Sequence, residues 1–320
     1  PFMNSSSLLT VLVHTIRLEA QGIISVEFRS PTGEELPAFA AGSHIDLHLP
    51  NGLVRSYSLF NSAEERHRYV VGVLNDRNSR GGSRFVHEQL RVGSTIKIAP
   101  PRNNFELDEA ATQSVLLAGG IGVTPIFCMY KRLRAIAKPV ELLYCARTKT
   151  EAAFVDELVA SGGQVTTRFD DEAGCPPNLR ELLAGHPADT HFYCCGPTPM
   201  LDAFEAACKE LGYQNVHIER FAAAGEVTAA QAGSYQVELA KSGKTIDVPA
   251  GMALLDALLE AGIDADYSCR EGVCGACETA VLEGTPEHRD SVLTERERES
   301  NKTMMVCVSG CKGSKLVLDI

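Results

Sequence analysis

Long apolar runs are missing from this 320-residue sequence. No stretch approaches the roughly 18–20 residues that a bilayer-crossing helix needs, so no membrane association is expected. The apolar stretch Leu8–Ile16 is short and is broken by Thr10, His14 and Thr15. No basic region precedes an apolar one at the N-terminus, so a secretory signal is not expected and a cytoplasmic location is. The chain reads Pro1-Phe2-Met3 at its start, which makes Met3 the expected first residue. Basic charge is scarce as well: 30 Lys and Arg against 41 Asp and Glu give a formal net charge of -11. A phosphate-binding surface needs a basic field, so nucleic acid is not an expected partner. An even disulfide set is also absent, because the eleven cysteines are an odd number. The nine histidines are dispersed, with no facial-triad spacing that would hold an oxygen-activating metal. His44 and His48 lie in one strand-like run and are expected at the surface.

What remains is a globular composition, 44% hydrophobic and 22% charged. The length suits two or three domains, and the texture changes along the chain. Up to about Asp108, short alternating apolar runs such as Ile23–Phe28, Ser43–Leu49, Tyr69–Leu74 and Thr95–Ala99 are separated by turn residues. This predicts an all-β barrel or sandwich. From Ser114 to Phe221, buried strands (Ser114–Ala118, Glu141–Cys145, Gln164–Phe169, His191–Cys195) alternate with helices (Ile126–Ala137, Glu151–Ser161, Pro199–Leu211). That alternation predicts a doubly wound parallel sheet. Ala222–Gly233 is small and polar and suits a linker. Beyond it a hairpin, a helix at Met252–Ala261 and more short strands follow. The expected division is 1–110, 111–224, a linker at 225–234, and 235–320, in a multidomain α+β and α/β chain.

Four of the cysteines carry the most specific signal. Cys269, Cys274 and Cys277 form C-x4-C-x2-C, and Cys307 follows after 29 residues. This is the plant-type [2Fe–2S] spacing, in which two irons need four converging thiolates. Gly272, Gly275 and Ala276 keep that loop small, so backbone N–H groups can approach the sulfides and tune the potential. The alternative is a structural zinc site, which usually pairs two C-x-x-C elements; only one is present. Cys311 lies four residues past Cys307 and reads as a free thiol.

Two glycine-bearing turns mark the parallel-sheet segment. Gly119-Gly120-Ile121-Gly122-Val123-Thr124-Pro125 follows a strand and opens a helix. Glycines there permit positive φ and close approach of backbone to a pyrophosphate. Cys194-Cys195-Gly196-Pro197-Thr198-Pro199-Met200 repeats the strand-to-helix arrangement. Both turns fall at carboxyl ends of strands, where such sheets bind ligands. Cys195 would sit beside a nicotinamide ring; its alternative is a buried core thiol.

In the β segment, Arg55-Ser56-Tyr57-Ser58 begins an apolar strand. An arginine can pair with phosphate, a tyrosine can stack on an isoalloxazine, and small hydroxyls can bond its edge. Arg80-Gly81-Gly82-Ser83 precedes a helical pattern and could hold a phosphate.

With these motifs in this order, residues 8–320 resemble the phthalate dioxygenase reductase family, the reductases of two-component aromatic-ring oxygenases and O-demethylases. The phenoxybenzoate dioxygenase and vanillate demethylase reductases are members that the chain resembles. The resemblance implies an antiparallel flavin barrel, a nicotinamide domain and a C-terminal β-grasp [2Fe–2S] ferredoxin domain. It implies FMN rather than FAD, with Arg55, Ser56, Tyr57 and Ser58 at the flavin and Gly81, Gly82 and Ser83 at its phosphate. It implies that Gly119, Gly120, Gly122, Gly196 and Pro197 hold the nicotinamide cofactor, with Thr124, Cys195 and Phe221 at the reacting rings. Members that use NADH carry an acid in the stretch that here reads Ala146-Arg147-Thr148-Lys149-Thr150-Glu151, and Lys149 takes its place. NADH is implied by the resemblance, whereas Arg147 and Lys149 would suit the 2′-phosphate of NADPH.

A nicotinamide delivers two electrons as hydride, a [2Fe–2S] cluster accepts one, and a flavin converts between them. The expected activity is therefore NADH-dependent reduction of an external acceptor. The resemblance makes that acceptor a Rieske non-haem iron oxygenase; redox encounters tend to have small interfaces, so a monomer is expected. The segment 235–320, with nine Lys and Arg against fifteen Asp and Glu, offers either an acidic docking face or an ordinary solvated surface. A redox sensor would need an effector segment, and none is visible. A passive carrier would need no nicotinamide domain.

Overall fold

The computed structural model describes residues 8–77, 79–221 and 233–320. Two compact units result, Pro1–Glu219 and Arg220–Ile320. The linker expected at 225–234 lies outside the described residues except for Gly233 and Ser234.

The first unit opens with β1 (Leu9–Ala20), β2 (Ile23–Arg29), β3 (Ser43–His48), β4 (Val54–Ser58) and β5 (Tyr69–Leu74). Helix α1 (Gly82–Glu88), β6 (Thr95–Ile98) and β7 (Arg102–Asn103) follow. The sheet runs β4-β3-β6-β1-β2-β5, with β7 on β3. Its pairings are antiparallel, and a bridge from Leu59 to Val71 joins the two edges. The period-2 alternation explains the closure. Val11, Val13, Val26, Phe28, Ile45, Leu47, Val71 and Val73 fill the interior, and a closed sheet leaves no unpaired edge.

The chain then enters β8 (Ser114–Gly119), a 3-10 turn at Gly120–Gly122 and α2 (Val123–Ala135). Next come β9 (Val140–Ala146), α3 (Val155–Ala160), β10 (Gln164–Phe169), α4 (Asp170–Ala173) and α5 (Leu179–Leu183). The sheet is completed by β11 (His191–Cys195), α6 (Thr198–Leu211) and β12 (Asn215–Glu219). All five strands are parallel, in the order β10-β9-β8-β11-β12. Successive connections leave β8 in opposite directions, so the switch point lies between β8 and β11. Sheets of this kind bind ligands there.

Barrel and parallel sheet share a core: Phe60, Val70 and Phe105 pack in one cluster with Ile126, Phe127 and Phe154. A Cβ on Gly72 of β5 would lie 2.7 Å from Thr124 Cγ2, so a glycine lets this barrel strand meet the start of α2 this closely. The Cys128 thiol reaches the Asn61 carbonyl at 3.3 Å, and Lys131 Nζ donates to the Phe60 carbonyl at 3.2 Å.

The second unit holds β13 (Tyr235–Leu239), β14 (Lys244–Val248), α7 (Leu254–Glu260), β15 (Glu278–Glu283) and β16 (Pro286–Glu287). It ends with α8 (Glu295–Ser300), β17 (Thr303–Met305), β18 (Gly310–Cys311) and β19 (Lys315–Leu318). The main sheet is mixed, ordered β14-β13-β19-β15-β17, with β13 parallel to β19. Helix α7 buries Leu254, Leu255, Ala257 and Leu258 in the core of this unit, a β-grasp. Helix α8 starts with a complete capping box between Thr294 and Glu297. Among the described residues, no helix is long and apolar enough to cross a membrane.

One expectation is corrected. His44 is 5% exposed rather than superficial, because β3 pairs on both sides, with β4 and with β6 and β7. Burial pushes its imidazole down to about 4. His48, nearer the strand end, is half-buried.

Candidate redox sites

Strand alternation divides the Arg55–Ser58 motif between two faces. Arg55 pairs with Leu47 and Tyr57 with Ile45, whereas Ser56 pairs with Asp46 and Ser58 with His44. A Cβ on Gly82 would lie 2.5 Å from Arg55 Cγ, so the arginine stem runs across the start of α1. Gly81, before it, has φ 102°. The Ser79 hydroxyl ties this turn together, accepting from the Gly81 N–H at 3.1 Å and from the Ser83 hydroxyl at 2.9 Å. A guanidinium beside two consecutive glycines is a fitting cradle for a phosphate. Tyr57 packs at the rim of the barrel core, and burial pushes its phenol up to about 12. Ser56 is committed elsewhere: its hydroxyl donates to Asp46 Oδ1 at 2.6 Å, and Asp46 also accepts from Arg102. That leaves the Ser56 hydroxyl no proton to donate to a ligand, only its oxygen as an acceptor.

The two glycine turns of the parallel sheet meet backbone to backbone. Register sets Cys195 opposite Ala118, so Gly119–Gly122 and Gly196–Pro197 leave adjacent strand ends together. A Cβ on Gly122 would fall 2.2 Å from the Cys195 carbonyl oxygen. One on Gly119 would fall 2.4 Å from Met200 Sδ and 2.8 Å from Pro197 Cδ. Gly120 differs: its φ is 54°, and nothing lies within 4 Å of its Cβ position. The Thr124 hydroxyl bonds the Ile121 carbonyl at 3.1 Å, while its methyl faces Gly72.

Cys195 is fully buried, and its thiol is held well above the ordinary range by burial and then by the Glu219 charge. Glu219 went unrecognised in the sequence, where only its neighbour Phe221 was singled out. At the end of β12 it accepts a hydrogen bond from Ser58 of β4 at 3.3 Å. The residue keeps some exposed surface, but its carboxyl is enclosed, and burial pushes it up to about 8. Strands β4, β11 and β12 thus bring Ser58, Cys195 and Glu219 to one place. Phe221, two residues on, is 43% exposed.

In the second unit all four ligand-type cysteines are buried. They associate two by two. Cys277 Sγ lies 3.1 Å from Cys307 Sγ, and Cys269 hydrogen-bonds with Cys274. Among the described residues, no three His, Cys, Asp or Glu side chains surround a single ion position. Two pairs of thiols fit two irons, each taking two sulfurs. Backbone amides already point at the sulfurs: Glu271 N–H to Cys269 at 3.3 Å and Cys269 N–H to Cys274 at 3.5 Å. The bond with Cys274 and the backbone amides of Val273, Glu271 and Cys274 hold the Cys269 thiol down to about 6. Contact with Cys277, burial and neighbouring sulfur charge push Cys307 up. Buried thiolates this crowded require cations between them. Cys311 is also buried, forms no disulfide, and accepts the Gly313 N–H at 3.3 Å.

Comparison with known proteins gives the family. Residues 237–312 match the 2Fe-2S iron-sulfur cluster binding domain. Residues 94–218 match the N-terminal domain of the dimethylamine monooxygenase subunit DmmA-like family. Phenoxybenzoate dioxygenase subunit beta of Ectopseudomonas oleovorans is 47% identical, over 98% of this chain and 97% of its own. The solved phthalate dioxygenase reductase, described as a modular structure for electron transfer from pyridine nucleotides to [2Fe–2S], is 34% identical. It superposes with a TM-score of 0.72 and 98% coverage of both chains. This chain belongs to the phthalate dioxygenase reductase family. It is an electron-transfer oxidoreductase with a flavin and nicotinamide fold and a cluster-binding domain. An intact type IV self-sufficient cytochrome P450 monooxygenase is similar to this reductase as well, at 38% identity and a TM-score of 0.90. There the whole reductase aligns with 42% of the longer chain.

Proposed function

We propose that this chain oxidises NADH on FMN and delivers single electrons through a [2Fe–2S] cluster to a Rieske-type oxygenase, acting as a monomer. When bound, the flavin supplies the conversion of a hydride into two one-electron steps, and the cluster supplies the exit. The observation that carries the reading is the meeting of two glycine turns beside Ser58, Cys195 and Glu219. There a nicotinamide held by the parallel sheet would face a flavin held by the barrel.

In this reading Arg55, Gly81, Gly82 and Ser83 hold the flavin phosphate, Tyr57 covers the ring, and Ser58 reaches its edge. Gly119, Gly120, Gly122, Gly196 and Pro197 receive the dinucleotide. Cys195 leaves room for the nicotinamide, and Thr124 lies near the flavin–nicotinamide contact. Cys269, Cys274, Cys277 and Cys307 hold the cluster. The working divisions are 1–110, 111–224 and 235–320. The oxygenase partner is supported by the relative's name as a dioxygenase subunit.

The preference for NADH is supported by β10. Phe169 pairs with Ala146, and the Asp171 N–H donates to the Arg147 carbonyl at 3.0 Å. Asp170 and Asp171 therefore stand beside Arg147 at the same sheet end. Asp170 Oδ1 is buried without a hydrogen-bond partner, which suits a carboxylate waiting for ribose hydroxyls. The test is anaerobic stopped-flow mixing with NADH and, separately, NADPH. Flavin bleaching followed by slower cluster reduction, faster with NADH, is expected. A flavin- and cluster-loaded sample that neither nicotinamide reduces would overturn the reading.

A further inference from the structure

The cluster loop is braced by a segment that supplies no ligand. Gly272, three residues past Cys269, has φ 67°. A Cβ there would lie 2.6 Å from Val308 Cγ2 and 3.1 Å from Asp290 Cα. The Gly272 carbonyl accepts the Ser291 N–H at 2.8 Å. The Asp290 side chain beside it is 0% exposed. One carboxylate oxygen accepts the N–H groups of Val292 at 3.1 Å and Leu293 at 2.8 Å. Its main-chain carbonyl accepts Arg298 Nη2 of α8 at 2.6 Å. Just ahead, the Arg289 N–H donates to Ser309 Oγ at 3.3 Å, two residues past Cys307. This short segment therefore ties the loop bearing three ligands to the stretch bearing the fourth.

A buried carboxylate that accepts two backbone amides fixes the turn it belongs to, because losing the acceptor would leave those donors unpaired in a dry site. The turn in question presents the Ser291 amide to Gly272. We propose that Asp290 is a positioning residue for the cluster: through Ser291 it holds the Gly272 carbonyl, and with it the ligand loop in which the neighbouring Glu271 amide meets the sulfur of Cys269 at 3.3 Å. The proposal rests on the reading of the four cysteines as cluster ligands. An amide donated to a ligand sulfur favours the more negatively charged, reduced state and raises the potential. A buried negative charge nearby lowers it. The two roles of Asp290 are therefore separable by sign.

Asp290→Asn removes the charge and keeps an acceptor oxygen; Asp290→Ala removes both. The comparison of the two isolates the acceptor. Both full-length variants are loaded, and the cluster is titrated spectroscopically and examined by electron paramagnetic resonance. The alanine variant is expected at a lower potential than the asparagine variant, with an altered resonance. The expected size is about tenfold in the one-electron equilibrium, or about 59 mV. Equal potentials and equal spectra for the two variants overturn the proposal. If the alanine variant folds without a cluster, Arg298→Lys decides instead. It keeps the positive charge, which lies 3.8 Å from the Asp290 carboxylate, and removes the guanidinium donor to the Asp290 carbonyl, so a smaller shift in the same direction is expected. An unchanged potential in Arg298→Lys then overturns the proposal. A wild-type protein lacking the [2Fe–2S] spectrum would sink the ligand reading itself, whereas a loaded wild type with equal variants sinks only the role of Asp290.

Discussion

Gly122→Ala tests the junction of the two glycine turns most directly. The added methyl would sit 2.2 Å from the Cys195 carbonyl oxygen and 2.4 Å from its carbon. Ordinary contact begins near 3.4 Å, so the turns must part by about 1 Å. The obstacle is backbone on both sides and cannot swing away as a side chain can. Overpacking of this kind costs about 1–3 kcal/mol, and the rigid partner argues for the upper end. At about 2–4 °C per kcal/mol for a unit of this size, melting should fall by roughly 4–12 °C. A displacement of about 1 Å at a reacting centre can cost about 100-fold in rate. Gly120→Ala is the internal control. Its methyl meets nothing within 4 Å, and the cost is confined to a left-handed backbone, about 1–2 kcal/mol. The assay is anaerobic stopped-flow bleaching of the flavin by NADH, with calorimetric melting of both variants. Gly122→Ala must lose more rate than Gly120→Ala. A Gly122→Ala protein that bleaches at the wild-type rate, or no more slowly than Gly120→Ala, refutes the argument.

Two further outcomes follow from the sites. Cys277→Ala should abolish the cluster absorbance and electron delivery while flavin bleaching by nicotinamide stays within about twofold, since Cys277 lies in the other compact unit; loss of bleaching would refute this separation. Glu219 is raised from 4.5 to about 8, so the folded state binds its proton more tightly than the unfolded chain. Its stabilising contribution is complete below about 4.5 and is lost as pH rises through about 8. Glu219→Gln should flatten the pH dependence of unfolding in that window. The change should stay below about 5 kcal/mol, since the residue keeps some exposed surface. An unaltered dependence in urea melts at pH 5, 7 and 9 would show that Glu219 is not the titrating group.

Much of the molecule was legible before any coordinates. Local pattern determined it: period-2 runs for the barrel, strand-helix alternation for the parallel sheet, and C-x4-C-x2-C with a distant cysteine for the cluster. These signals are short-range in the chain, so each can be read from a few neighbouring residues. What the sequence hid were relations between residues far apart in it. Ser58 and Glu219 are 161 positions apart, and nothing in either neighbourhood announces that a barrel strand and an edge strand of the parallel sheet will meet. Ser56 and Ser58 look equivalent in the motif, yet register with Asp46 diverts the Ser56 hydroxyl. His44 read as a surface histidine because a strand pattern does not say how many neighbours the strand will have. The acid expected after β9 is absent there, and only parallel register brings Asp170 and Asp171 to that end from the next strand. The sequence by itself determined which elements form and which cofactor chemistry they can carry. The tertiary structure decided which side chains share a site, because burial, register and backbone clearance at Gly72, Gly122 and Gly272 depend on contacts between segments that the chain keeps far apart.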